Sequence, residues 1–225
     1  MIKERQDIEF LILTKRIDRF MVSLPEDWGE GYDNVNLGCT VETQEIADYR
    51  LPLFLSYPMK PAAIVYTSNT GHTRKYALLL GEQIGLPVYS LDEANAQLSG
   101  GSPVIYLGWL HASHVKGYAK AASRFDLCAV CGVGLCDTGT LTDQVRKATS
   151  IPEGIPLFTL QGGIDRSRLK GMDKLMISML TKGLASQKQR SAQDERMLEL
   201  LSKDENYVSP ENLSGVLQWY REEQL

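Results

Sequence analysis

Between Lys60 and Leu184 short apolar runs alternate with amphipathic ones, and that alternation limits what this chain can fold into more than any other feature. The runs Ala62–Thr67, Val88–Ser90, Val104–Leu107, Leu127–Val133 and Leu157–Leu160 have the length and composition of buried strands. Each is followed by helical spacing: Thr73–Ile84, Asp92–Leu98, near Val115–Arg124, near Leu141–Ala148, and Leu169–Leu180. Gly85-Leu86-Pro87, Gly100-Gly101-Ser102-Pro103 and Pro152-Glu153-Gly154 stand where loops should fall. Five strand–helix units in succession predict an α/β domain over residues 59–185, built on a doubly wound five-stranded parallel sheet. In such a sheet a ligand lies beyond the carboxyl ends of the strands, at the switch in strand order. The loops after strands one, three and four, at 68–73, 108–113 and 132–137, are expected to converge there.

The first of these loops, Ser68-Asn69-Thr70-Gly71-His72-Thr73, reads as an anion cradle. A hydroxyl- and amide-rich turn opening a helix gathers side-chain donors, unpaired backbone N–H groups and the positive end of the helix dipole. No lysine lies inside the turn, and Lys75 already belongs to the helix, so a monoester phosphate suits it better than a triphosphate with magnesium. After the third strand, closed at Gly108, the large flat side chain of Trp109 precedes Leu110 and His111; it offers a stacking partner for a planar ring, or else caps the core. Gly132 and Gly134 permit close backbone approach. His72 is expected to donate to phosphate. His111 is either a proton donor beside a bound ring or a solvated loop residue.

Several chemistries are excluded. The dinucleotide pattern G-x-G-x-x-G and the nucleotide loop G-x-x-x-x-G-K-[ST] are absent after strand one. A phosphoacceptor receiver would need a carboxylate where this chain has Gly108. Cys128, Cys131 and Cys136 read as reduced structural thiols rather than an iron–sulfur site, because two of them fall in a strand. No serine nucleophile elbow or metal-binding histidine pair stands out.

The flanks are plainer. Phe10, Leu13, Ile17, Phe20 and Leu24 have helical spacing, 26–34 reads as an acidic loop, and 35–58 as irregular or strand-forming chain with Pro52 and Pro58. Residues 1–58 thus form an N-terminal extension that could dock a partner or pair two copies in a homodimer. Residues 186–225 are expected to form two helices, Ser191–Leu201 and Pro210–Tyr220, that pack on the sheet domain. The core segment 59–185 carries 13 Lys and Arg against 9 Asp and Glu, while both flanks are acidic. Its densest basic patch is Arg166, Arg168, Lys170 and Lys174, enough to steer an anionic partner but too small to argue for nucleic acid. No apolar run is long enough for a transmembrane segment, and Glu4 and Asp7 sit where a secretory signal would be basic; a cytoplasmic location is expected.

The strand, the turn Ser68-Asn69-Thr70-Gly71-His72-Thr73 and the following helix resemble the FMN-phosphate loop of the flavodoxin family, whose pattern is T-x-T-G-x-T. The resemblance covers about residues 62–182 and implies strand order 2-1-3-4-5 with bound FMN. It implies that Ser68, Asn69, Thr70, Gly71, His72 and Thr73 hold the phosphate. Gly108, Trp109, Leu110 and His111 would line the isoalloxazine, and the backbone around Cys131, Gly132 and Val133 would meet its polar edge. The run Leu169–Leu180 is similar to the final helix of flavodoxin-like protoporphyrinogen oxidases. The loop after strand four lacks the tyrosine that often covers the flavin. An FMN-dependent oxidoreductase or electron-transfer protein is therefore expected, acting with a redox partner or an anionic small-molecule substrate. The alternative is a non-enzymatic interaction protein that retains the fold, with or without flavin.

Overall fold

The computed structural model describes residues 2–20, 23–25, 28, 32–55, 60–165, 167–169, 171–187, 189–202 and 205–222, and the chain divides into two compact units, Met1–Met59 and Lys60–Leu225. In the first unit β1 (Phe10–Thr14) pairs in parallel with β2 (Val35–Cys39), and α1 (Gln44–Leu55) follows. The helix expected from Phe10 onward is not formed. Phe10, Ile12 and Thr14 alternate with the exposed Leu11 and Leu13, a period of two that overrides the helical spacing, and Ile17–Arg19 makes a short 3-10 turn. Trp28 packs against Phe20 and Tyr32, and the Asn34 side-chain amide donates to the carbonyls of Ile2, Arg5 and Ile8. Pro58 and most of the acidic 26–34 segment lie outside the described residues.

The second unit is an α/β structure around a mostly parallel sheet. Its elements run β3 (Ala63–Thr67), α2 (His72–Ile84), β4 (Val88–Ser90), α3 (Leu91–Gln97), β5 (Pro103–His111), β6 (His114–Val115), α4 (Tyr118–Ala122) and β7 (Asp126–Gly134). Then come α5 (Thr142–Thr149), β8 (Leu157–Gln161), α6 (Gly171–Ser186), α7 (Ala192–Ser202), a 3-10 turn (Pro210–Leu213) and α8 (Ser214–Glu222). The hydrogen-bonded order is β4-β3-β5-β7-β8, all parallel, with β6 antiparallel to the end of β5. Among the described residues the sheet therefore has six strands rather than the expected five. A two-residue turn, Ala112-Ser113, folds the chain back after His111 and creates the extra one.

Apolar residues on both faces of the strands explain why helices cover both. Ile64, Ile105, Leu107, Ala129, Cys131, Val133 and Leu160 pack on one face against Tyr76, Ala77 and Leu80 of α2 and Val216, Leu217 and Tyr220 of α8. Val65, Val104, Tyr106 and Val130 face the other way, toward Leu91 and Ala94 of α3, Ala121 of α4 and Val145 of α5. Two expectations are corrected here. The third strand does not close at Gly108 but runs to His111, because Gly108 pairs with both Thr67 and Gly132 and Trp109 pairs with Val133. The helix that follows β8 in sequence, α6, is absent from the sheet's core clusters. It packs with α7 through Ile177, Leu184, Met197 and Leu201, around Leu135, Ile164 and Leu169, and α8 takes the place on the sheet face that α6 was expected to fill.

The chain leaves and re-enters the sheet at a clamp. Gly162 N–H donates to Gly134 O at 2.7 Å, Tyr207 N–H donates to Gly162 O at 2.8 Å, and Gly163 bridges Asn206 in antiparallel fashion. Tyr76 fastens this clamp to α2: its hydroxyl donates to Gln161 O at 2.5 Å and accepts from the Asn212 side-chain amide at 2.7 Å. No described helix is long and apolar enough to cross a membrane.

Candidate functional site

The turn after β3 is built to begin a helix without a side-chain cap. Gly71 takes φ +104°, a left-handed conformation that suits glycine, and stands at the N-cap of α2; its N–H donates to Ser68 Oγ at 3.2 Å. The first turn of α2 holds Arg74 and Lys75 and no acidic residue, so the positive end of the helix is not neutralised from within its own sequence. From the far side of the sheet the loop after β8 brings in Arg168. Its Nη1 lies 3.2 Å from the position a Cβ on Gly71 would occupy, while its Nε pairs with Asp165 at 3.0 Å. Asp165 also accepts from the backbone N–H and hydroxyl of Ser167, and these bonds hold its carboxyl below the usual carboxylate range. Arg166 and Lys170, the other members of the expected basic patch, lie outside the described residues.

His72 and Thr73 are almost fully buried at the start of α2. The His72 Nδ1 hydrogen-bonds with Thr70 Oγ1 at 3.1 Å. On its other side Nε2 lies 3.0 Å from where a Cβ on Gly163 would be, so the clamp glycine gives the ring its room. Burial first, then Lys75 and Arg168, push the imidazole below its ordinary value, with Asp165 opposing. His72 is thus a packed histidine whose Nδ1 is engaged by Thr70, while its backbone N–H stays at the start of α2. Thr73 is different: 2% exposed, it lines the cavity described next.

Below the sheet's carboxyl edge lies a cavity of about 330 Å³, within the usual range for small-molecule sites. It joins Asn69, Thr70, His72 and Thr73 to Trp109, Leu110, His111 and Ala112, and to Val133, Gly134 and Leu135. Its remaining wall is apolar and comes from the excursion after β8: Ile164, Leu169, Ile177, Leu180, Leu184, Met197 and Leu201. The Trp109 ring meets His111 edge-on at 5.5 Å, with the Lys116 ammonium 5.9 Å from the Trp109 ring centroid. The turn beside it is strained: Ala112 and Ser113 have φ of 48° and 64°, conformations that β-hairpins normally assign to Asn and Gly. Upstream, the Tyr106 hydroxyl donates to Lys116 O at 2.7 Å and is hydrogen-bonded with the Thr67 hydroxyl at 2.8 Å, and burial pushes it up to about 12. That bond fixes the last residue of β3 immediately before the turn.

Eight expected site residues therefore meet in one cavity: Asn69, Thr70, His72, Thr73, Trp109, Leu110, His111 and Val133. Ser68 and Gly71 support the turn from behind. Gly108, Cys131 and Gly132 are not on the cavity. Gly108 faces Val115 and Lys116, and Cys131 is in the core with its thiol pushed up to about 12 by burial. Gly132 and Gly134 lie under the Leu110 side chain, each with an added Cβ falling 2.9 Å from it, so their closeness serves packing. The backbone of 131–133 is paired on both sides, with β5 and with β8, and does not present free groups to a ligand edge. The residues missed by sequence reasoning are Arg168 at the turn and the apolar cover from α6 and α7; the only sequence signals were the Gly162-Gly163 pair after β8 and the basic character of 166–174.

Comparison with protein-family models, curated proteins and solved structures gives no match.

The residues present fit a phosphorylated planar ligand such as FMN. Thr73 lines the cavity at the start of α2, and the Arg168 guanidinium lies against Gly71 at the head of the same helix, positive features of the kind a phosphate needs. Trp109 and the apolar cover supply walls for a flat, largely apolar ring.

Proposed function

We propose that this protein is a flavodoxin-like FMN-binding oxidoreductase or electron-transfer protein. The reading is carried by one observation: a single cavity runs from Thr73 at the helix start to Trp109. The parallel order β4-β3-β5-β7-β8 supports it, with the short antiparallel β6 as an addition to the expected pattern. When bound, FMN would supply reversible one- or two-electron transfer. The chain's part is to hold and tune. Asn69, Thr70 and Thr73 would donate to the phosphate, and Trp109 would limit tilting of the ring. The apolar wall from α6 and α7 would exclude water from its neighbourhood. His111, on the cavity beside Trp109, is placed to hold or deliver a proton near the ring.

The test is the visible spectrum of the purified protein with and without added FMN. Yellow protein whose flavin bands bleach with dithionite supports the proposal. A colourless protein that ignores FMN refutes it and favours a non-enzymatic interaction role for the fold.

A further inference from the structure

The basic residues of the loop after β8 were expected to steer a partner from outside. The geometry points to a closer task for one of them. We propose that Arg168 is the phosphate-gripping arm of the site: on binding, its guanidinium exchanges Asp165 for the ligand's phosphate and so selects phosphorylated over unphosphorylated flavin. This rests on the FMN reading above and adds to it a residue from outside the turn.

Four observations carry it. Arg168 Nη1 sits 3.2 Å from the Cβ position of Gly71, which places the guanidinium against the N-cap of a 13-residue helix. Two cationic features, the helix start and the guanidinium, then stand together, with Asp165 as the carboxylate paired to the guanidinium, while Arg74 and Lys75 add further positive charge. Second, Thr73 in the first turn of α2 lines the cavity, so a hydroxyl donor stands at the helix start. Third, the ion pair uses the Nε side of the guanidinium, and the side chain is 65% exposed, so it can turn from Asp165 to an anion at Gly71 with little loss of packing. Fourth, Asp165 is not stranded by the exchange, because the Ser167 N–H and hydroxyl already bond it.

The exchange also has a mechanical side. Leu169, next in the chain, is a buried wall of the cavity and packs with Ile164 and Leu201. An anion that draws Arg168 inward holds the first residues of the cover against the ring.

The experiment titrates the wild type and the variants Arg168→Gln, Arg168→Lys and Asp165→Asn with FMN and with riboflavin, following flavin fluorescence. Wild type should prefer FMN. Arg168→Gln should weaken FMN binding about 10- to 100-fold while riboflavin binding changes by less than about twofold. Arg168→Lys should fall between, and Asp165→Asn, which removes the competitor for the guanidinium, should tighten FMN. A merely structural Asp165–Arg168 pair gives the opposite pattern, with both neutralising variants lowering FMN and riboflavin binding alike, and overturns the proposal. So does an Arg168→Gln protein that binds FMN as the wild type does; the FMN reading survives that result. A wild type that binds neither flavin overturns both.

Discussion

Gly117 gives the sharpest quantitative test of how the site is supported. It stands at φ +84° before α4, and a Cβ added there would lie 2.1 Å from Tyr106 Oη and 2.5 Å from Thr67 Oγ1. Gly117→Ala therefore carries two costs. The left-handed backbone costs a non-glycine residue about 1–2 kcal/mol. The methyl group must also separate the Tyr106 hydroxyl from Thr67 or from the Lys116 carbonyl, a loss of about 1–3 kcal/mol for buried partners left unsatisfied. A total near 3 kcal/mol lowers Tm by about 6–12 °C in a protein of this size. Tyr106→Phe removes the nearest obstructing atom, and by itself should cost about 1–2 kcal/mol. In the double variant the methyl group meets no tyrosine hydroxyl, so the combined cost should fall short of the sum by about 1–2 kcal/mol. Urea denaturation of the four proteins completes the cycle. A Gly117→Ala cost below about 1 kcal/mol, or additivity within about 0.5 kcal/mol, refutes the packing argument.

Three further outcomes are expected. Thr73→Val keeps the shape of the buried side chain, so it should leave stability unchanged or raise it by up to about 1 kcal/mol, yet weaken FMN binding by about 1.5–3 kcal/mol; calorimetry of both quantities checks the contrast. His72 has a folded pKa below its unfolded value near 6.5, so the folded state binds fewer protons: its contribution to stability is full above about pH 6.5 and is lost as the pH falls. Tm measured from about pH 7 to pH 5 should drop less steeply in His72→Gln, and an unchanged slope would remove His72 from the account. Cys131, fully buried and with its thiol pushed up to about 12, should resist a chromogenic thiol reagent until the protein unfolds; that slow phase should be missing in Cys131→Ala.

The α/β layering of the second unit was legible because each strand is apolar on both faces while the helices are apolar on one, as in Ile64 and Val65 against Tyr76, Ala77 and Leu80. The turn from Ser68 to Thr73 was legible because hydroxyls and a glycine at a helix start have a local physical meaning. Other features depend on partners distant in the chain. Gly108 looks like a strand end, but pairing with Thr67 and Gly132 carries β5 through it. The periodicity of α6 and of the C-terminal helix are alike on paper, and only the filled sheet face decides that Val216, Leu217 and Tyr220 belong there. The nearness of Arg168 to Gly71 leaves no trace in either local pattern. In the first unit Phe10, Leu13 and Ile17 satisfied a helical spacing while Phe10, Ile12 and Thr14 satisfied an extended one, and pairing with Val35–Cys39 chose the second.

Because Gly163 bridges Asn206 and Tyr207 bonds Gly162, the chain between them begins and ends at one point on the sheet rim. Such a closed excursion behaves as an exchangeable cartridge. Its length enters the folding free energy only through a slowly growing closure entropy, so insertions or wholesale replacement between Gly163 and Asn206 should leave the rest of the unit standing while reshaping what the cavity accepts. Diversification of ligand choice on this scaffold would then proceed through that one segment, Arg168 included, while the turn at 68–73 across the cavity stays in place.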